Sequence, residues 1–535
     1  MRRTCLAFLV GCASFAAACD RRPMPACDPR DLVAPPDVDL ISIEPVESSE
    51  EGPAHCRVAG VIGADIEFEL LLPRDWNGKL VMGGGGGFVG KVENQAQEFL
   101  LLLGRSPLAR SYATVGTDTG HDGTTLDASW AFENLERKLN FGHRAVHLTA
   151  ETAKSLSQSF YRRPPRRSYF MGCSRGGGQA MMESQLYPND FDGIVAGAPA
   201  FNWGGIMAGF IKTQQAMYPT PNDLTEPVLT AETRKLLETR ILAKCDAIDG
   251  VRDGVLDDPR RCDFRVSELP NCELAGRDCI TDAERHAIEA IYQGPRRGGT
   301  QIFFGFPFGG ENDRGAWVPW IVGGAEPVAP GAPSLQYAFG TQAMKYLFLD
   351  DPDFDYTRYD FSTFGDDTRF GASILKATDT DLTDFESYGG KLLMWHGWSD
   401  SALTALATID YYDDVAAKDA DVGDYFRLFM MPGVLHCSGG PGPDELLASR
   451  IDGNGNVIRS RPLCPYPRVA IYDGTGDTDE AESFTCAKPV RASNETNAAA
   501  PGPYGRWPWP SEQEHKASVI PKTPGVAAPR YRARG

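Results

Sequence analysis

Ser168-Tyr169-Phe170-Met171-Gly172-Cys173-Ser174-Arg175-Gly176 is the stretch on which the architecture turns. Its composition predicts a short strand over 168–171, a sharp turn over 172–176 and a helix over 177–186, with another short strand at Gly193-Ile194-Val195-Ala196-Gly197. Strand, helix and strand in succession build a parallel sheet flanked by helices, the α/β class. A serine in G-x-S-x-G between a strand and a helix is held on a strained turn that projects its hydroxyl, and the helix N-terminus favours negative charge beside it. The bare pattern also occurs in glycine-rich loops with a structural serine. The strand before it and the helix after it favour a nucleophile at Ser174.

Working outward, Ile66-Glu67-Phe68-Glu69-Leu70-Leu71 and Lys79-Leu80-Val81-Met82 read as strands, the second running into five glycines, Gly83 to Gly87. Phe141, Ala145, Leu148, Thr149, Thr152 and Leu156 recur at helical spacing. Beyond Phe201 the alternation fails, and sheet pattern resumes only at Lys391-Leu392-Leu393-Met394-Trp395 and Phe426-Arg427-Leu428-Phe429-Met430. This predicts a core in two parts, 20–200 and 386–495, with a large lid domain inserted at 201–385. Residues 496–535, rich in Ala, Pro and Arg, read as a poorly ordered tail.

A serine hydroxyl needs a base, and the base needs an acid to hold its tautomer. In a parallel sheet that carries this turn they follow in the order Ser, Asp, His, each after a strand. Asp400 follows the strand ending at Trp395, and His436 follows the strand at 426–430, so both fit. His515 in the tail is the only other histidine after Asp400. His396 precedes the acid and reads as a residue packed under the loop. His143 and His147 permit a metal pair on one helix face but lack a third ligand, which favours a solvated face. His121, in Thr117-Asp118-Thr119-Gly120-His121, follows a strand-like stretch and borders the expected site. Backbone donors for an oxyanion are expected from Arg175 and from Gly85 and Gly86.

The chain has 535 residues, 72 acidic against 53 basic, and a formal charge of −19, which argues against nucleic acid as a partner. Arg2 and Arg3 before an apolar run from Cys5 to Ala18 read as an export signal over 1–19. Ala16-Ala17-Ala18 before Cys19 fits a signal-peptidase site and also, loosely, a lipobox that would lipidate Cys19. No later segment is apolar enough for a transmembrane span. The expected location is therefore outside the cytosol: secreted, periplasmic or lipid-anchored.

Of thirteen cysteines, three lie in or at the end of the leader, and the remaining ten read as disulfides. Sequence leaves the pairing open; proximity favours Cys245 with Cys262, Cys272 with Cys279, Cys464 with Cys486, and Cys27 with Cys56. Cys173 and Cys437 adjoin Ser174 and His436, which must approach one another, and a bridge between them is predicted. A cysteine nucleophile at Cys173 would occupy the wrong slot of the turn.

Between Cys245 and Cys262 the chain packs Asp246, Asp249, Asp253, Asp257 and Asp258 around Gly250 and Gly254. Carboxylates this dense repel one another unless a cation intervenes, and hard oxygen donors on a bent loop suit calcium. Asp246, Asp249 and Asp253 with the carbonyls of Val251 and Val255 make the expected shell, although the spacing is not that of an EF-hand. A solvated acidic turn is the alternative.

Together, the glycine run ending in Phe88, Thr117 to His121, Cys173-Ser174, the acidic loop, Asp400 and His436-Cys437 resemble the tannase and feruloyl esterase family, which also contains bacterial hydrolases of mono(hydroxyethyl) terephthalate. The resemblance covers nearly the whole chain after the leader. It implies an α/β-hydrolase core with a large lid, structural calcium in the lid, a disulfide joining nucleophile and base segments, and hydrolysis of small aromatic esters. It implies the roles already read for Ser174, Asp400 and His436 and the same calcium shell. Terephthalate monoester hydrolases hold the free carboxylate with a lid arginine, and Pro333-Ser334-Leu335-Gln336-Tyr337-Ala338-Phe339-Gly340 has none, which favours feruloyl-type or galloyl-type esters. Trp317, Trp320 and Phe339 are candidates to stack on a phenolic ring. A terephthalate monoester hydrolase, a serine peptidase, and a binding protein on a decayed site are the rival expectations.

Overall fold

The computed structural model describes residues 27–488, apart from 50–51, 99–105, 221–222, 277, 325, 443–448 and 452–456. The leader with Cys19, and the tail, lie outside the described residues.

Nine strands form the central sheet: β1 (Val38–Val46), β2 (His55–Ile62), β3 (Ile66–Pro73), β4 (Lys79–Gly83), β5 (Ala113–Thr117), β6 (Arg167–Cys173), β7 (Gly193–Gly197), β8 (Lys391–Gly397) and β9 (Phe426–Met431). Their order is β1-β2-β3-β5-β4-β6-β7-β8-β9. The pairings from β5 to β9 are parallel, and β1, β2 and β3 join antiparallel at one edge. This is a mostly parallel sheet flanked by helices, the α/β-hydrolase fold. Leu80, Met82, Phe170, Ile194, Met394 and Leu428 line the parallel half and are almost wholly buried. Such aliphatic runs suit strands covered on both faces.

Helix α1 (Ala145–Tyr161) precedes β6, and α2 (Arg175–Leu186) starts immediately after Ser174. One π-helical turn, Asn140–Arg144, leads into α1. The predicted helix thus begins with an irregular turn, and α2 begins two residues earlier than expected.

The chain between Gly197 and Lys391 separates two strands that pair directly, with Trp395 opposite Gly197. That stretch is mainly helical and includes α3 (Trp203–Met217), α4 (Leu335–Gln342) and a π-helical turn at Val318–Val322. After β8, helix α5 (Ala405–Lys418) crosses to β9. All five expected cysteine pairs are bonded: Cys27–Cys56, Cys173–Cys437, Cys245–Cys262, Cys272–Cys279 and Cys464–Cys486.

Candidate active site

Ser174 sits at the C-terminal end of β6 with φ 62° and ψ −121°, a conformation that a residue with a side chain adopts only under strain. The surrounding glycines explain how the turn closes. A Cβ on Gly172 would lie 2.6 Å from the Gly176 backbone, and one on Gly176 would lie 2.1 Å from the side-chain oxygen of Gln95. That same oxygen accepts from the Cys173 N–H at 2.8 Å, so Gln95 braces the turn from the neighbouring loop.

Asp400 and His436 come from the loops after β8 and β9. His436 Nδ1 lies 2.8 Å from Asp400 Oδ2, while Asp400 Oδ1 accepts from the N–H groups of Ala402 and Leu403 at 2.8 and 2.9 Å. Burial alone would raise the Asp400 carboxyl, but the facing His436 charge and the hydrogen bonds from both neighbouring histidines outweigh it and hold it well below the usual carboxylate range. An Nδ1 that donates to a carboxylate leaves Nε2 as the free, basic nitrogen. The bridge between Cys173 and Cys437, with Cα atoms 5.9 Å apart, ties the residue before Ser174 to the residue after His436.

The oxyanion expectation needs revision at the glycines. Gly85 N–H donates to Gln179 Oε1 at 3.1 Å and Gly86 N–H to Glu93 Oε2 at 2.6 Å, so both are committed inside the loop. Gly87, next in the run, has φ 51° and lies against the Phe339 ring; no acceptor for its N–H is found among the described residues. Arg175 is the first residue of α2, where N–H groups have no acceptor within the helix. Its side chain was not anticipated. The guanidinium is fully buried, lies 4.2 Å from the Phe141 ring centre and donates to the carbonyls of Phe141 and Gly142 in the π-helical turn. Burial pulls its pKa down to about 9.

The other singled-out histidines have separate partners. His121 is buried, stacks on Trp130 at 3.6 Å and has Nε2 at 2.9 Å from the Phe88 carbonyl, tying its loop to the glycine run. Burial pulls its pKa down to about 4. His143 and His147 do not form a solvated face: His143 Nδ1 bonds to the Tyr187 hydroxyl at 2.7 Å, and His147 Nδ1 to Asp190 at 2.6 Å. His396 lies buried beneath the Asp400 loop.

Of the three lid aromatics, Trp317 is 1% exposed and packs on Tyr292, so it belongs to the core. Trp320 and Phe339 stack nearly parallel at 6.1 Å, and Trp320 and His436 meet edge-to-face at 4.9 Å. Phe88 extends this aromatic wall to Phe339 at 5.2 Å.

In the acidic loop, Asp246, Asp249, Asp257 and Asp258 line a small pocket. Burial, then neighbouring carboxylates, push Asp249 up to about 6 and Asp257 to about 8. Asp257 Oδ2 is buried without a hydrogen-bond partner among the described residues. Asp253 instead faces Arg461 and Arg459, at 3.0 and 3.4 Å. No three acidic, histidine or cysteine side chains are gathered at metal-ligand geometry among the described residues. The donor chemistry nevertheless fits a hard cation, because crowded carboxylates with an unsatisfied buried oxygen are the groups it would neutralise.

Fold and site together define a carboxylic ester hydrolase of the α/β-hydrolase class. The family model for tannase and feruloyl esterase matches residues 52–449, and the chain belongs to that family. It is 31% identical to a mono(2-hydroxyethyl) terephthalate hydrolase of Piscinibacter sakaiensis, over 82% of this chain and 85% of the relative. It is 30% identical to an uncharacterized esterase of Xanthomonas campestris, over 84% and 87% respectively. In fold it is similar to feruloyl esterase B from Aspergillus oryzae, with a TM-score of 0.72 at 23% identity, covering 85% of this chain and 98% of that one.

Proposed function

We propose that this protein is an exported serine esterase that cleaves esters of aromatic acids through an acyl-enzyme on Ser174. The observation that carries the mechanism is the Asp400–His436 hydrogen bond next to a disulfide that joins the neighbours of His436 and Ser174. His436 Nε2 takes the Ser174 proton as the hydroxyl attacks the ester carbonyl, and Asp400 stabilises the imidazolium. The N–H of Arg175 and that of Gly87, rather than Gly85 or Gly86, stabilise the oxyanion. His436 then protonates the leaving alcohol, and water, activated by the same nitrogen, releases the acid.

The paired faces of Trp320 and Phe339 at the base support an aromatic acyl group, feruloyl or galloyl in type. The similarity to the Piscinibacter relative favours a second reading, a terephthalate monoester. Five disulfides support export, since such bonds persist in oxidising compartments. Asp246 and Asp249, with the carbonyls of Val251 and Val255, are the proposed calcium ligands, a structural role; Asp253 joins them only by leaving Arg459 and Arg461.

Initial rates on methyl ferulate, methyl gallate, a terephthalate monoester, a short aliphatic ester and a peptide anilide, each beside Ser174→Ala, test the reading. The expected result is preference for a phenolic ester and a loss of about 10³-fold or more in the variant. Equal rates for wild type and Ser174→Ala would overturn the mechanism, and preference for the terephthalate monoester would select the second substrate class.

A further inference from the structure

Asp400 faces two histidines, and the mechanism uses only one of them. His396, on β8, is 1% exposed, and its Nε2 lies 3.2 Å from Asp400 Oδ2, the oxygen that also meets His436. The same Nε2 lies 3.0 Å from the Leu403 carbonyl, while Nδ1 lies 2.7 Å from the Thr408 hydroxyl on α5. A carbonyl and a carboxylate can only accept, so Nε2 carries the hydrogen. The Thr408 hydroxyl can donate to Nδ1, so the neutral Nε2–H tautomer satisfies every contact of the ring.

We infer that His396 is a positioning residue for the proposed triad: a neutral imidazole that donates to Asp400 and fixes the carboxylate orientation that His436 requires. This rests on the triad reading above. His436 and His396 are the titratable groups that bear on Asp400 among the described residues. Each donor to Asp400 Oδ2 spreads its negative charge and weakens its hold on the His436 imidazolium. His396 therefore keeps Oδ2 turned toward His436 while sharing its charge. Leu403 couples the two loops, because its N–H donates to Asp400 Oδ1 and its carbonyl accepts from His396.

The discriminating pair is His396→Gln against His396→Asn. Glutamine places its amide N–H where Nε2 stood and can still reach Asp400; asparagine matches Nδ1, toward Thr408, and cannot. The expected result is that His396→Gln stays within about threefold of wild type in kcat/KM with the same acidic limb of the pH profile. His396→Asn should lose about tenfold, and its acidic limb should move up by about half a pH unit, because a carboxylate that has lost one donor attracts the protonated base more strongly. A folded His396→Asn enzyme with an unmoved limb overturns the inference, whatever its rate. Asp400→Asn in the same series separates this failure from that of the triad itself. A fully active Asp400→Asn enzyme would remove both, whereas an inactive one beside an unmoved His396→Asn limb removes the positioning role alone. If His396→Asn does not fold, nitrogen NMR of histidine-labelled wild type decides: the His396 signal, identified by its loss in His396→Gln, should show the Nε2–H tautomer, and an Nδ1–H tautomer overturns the inference.

Discussion

A methyl group at Gly176 would strike the Gln95 oxygen that holds the Cys173 N–H, so the damage would reach the nucleophile turn directly. Gly176→Ala is expected to lower kcat/KM by more than about tenfold, since misplacing reacting groups by an ångström is costly, with a lower melting midpoint. His121 makes an acid-stability prediction. Its folded pKa, about 4, lies below the ordinary histidine value, so the unfolded chain binds the proton first as pH falls. Stability is unaffected above about pH 6.5 and is lost between there and pH 4, by about 3 kcal/mol for this group. His121→Gln should flatten that loss relative to wild type in melts across the same range. An equally steep loss in the variant would mean that His121 is not held neutral. At this scale the strand-end positions of Ser174, Asp400 and His436 and the pairing of the last two were legible, because chain order restricts the choice. The amides of Gly85 and Gly86 were not: which N–H in a glycine run is free depends on Gln179 and Glu93, remote side chains that no local pattern reveals. The buried Arg175 guanidinium was hidden for the same reason, its acceptors being carbonyls released by a π-helical turn.

Among the elements, the parallel strands could be read from their aliphatic runs, and five of them lie where the sequence places them to within two residues. The antiparallel edge was less visible: β1 carries Glu44 and Pro45, and its burial is too uneven to mark one face. The acidic loop was conspicuous in sequence, yet the pairing of Asp253 with Arg459 and Arg461 depends on a segment far along the chain. Calcium bound to this loop should raise the melting midpoint, and a chelator should lower it, by an amount that grows with the ratio of metal to its dissociation constant. Asp249→Asn should abolish the chelator response. A wild-type midpoint indifferent to both metal and chelator, with no calcium by elemental analysis, would remove the site.

Over the whole molecule, the Cys173–Cys437 bridge closes a loop of 264 residues in sequence separation that contains the mainly helical stretch between β7 and β8. Loop-closure arguments assign such a bond about 5 kcal/mol. The double variant Cys173→Ala/Cys437→Ala should therefore lower the unfolding free energy by an amount of that order. Its turnover should fall further than that of Cys272→Ala/Cys279→Ala, which opens a loop of only 7 residues in the lid. Equal turnover in the two double variants would mean that the longer bridge does not hold the proposed nucleophile and base together.

The placement of the long, mainly helical stretch between β7 and β8 also dictates an order of assembly. As the chain emerges, β7 is finished while its partner lies beyond Gly197–Lys391, so a bare parallel edge must wait for distant sequence. Cys173 waits longer still, and Cys245, Cys262, Cys272 and Cys279 all become available before Cys437 does. An oxidant acting strictly in order of appearance would join Cys173 to one of the lid cysteines, and the native pairing would then require exchange. Refolding from the fully reduced chain should accordingly be slow and quickened by a thiol–disulfide isomerase, with recovery of activity as its last event.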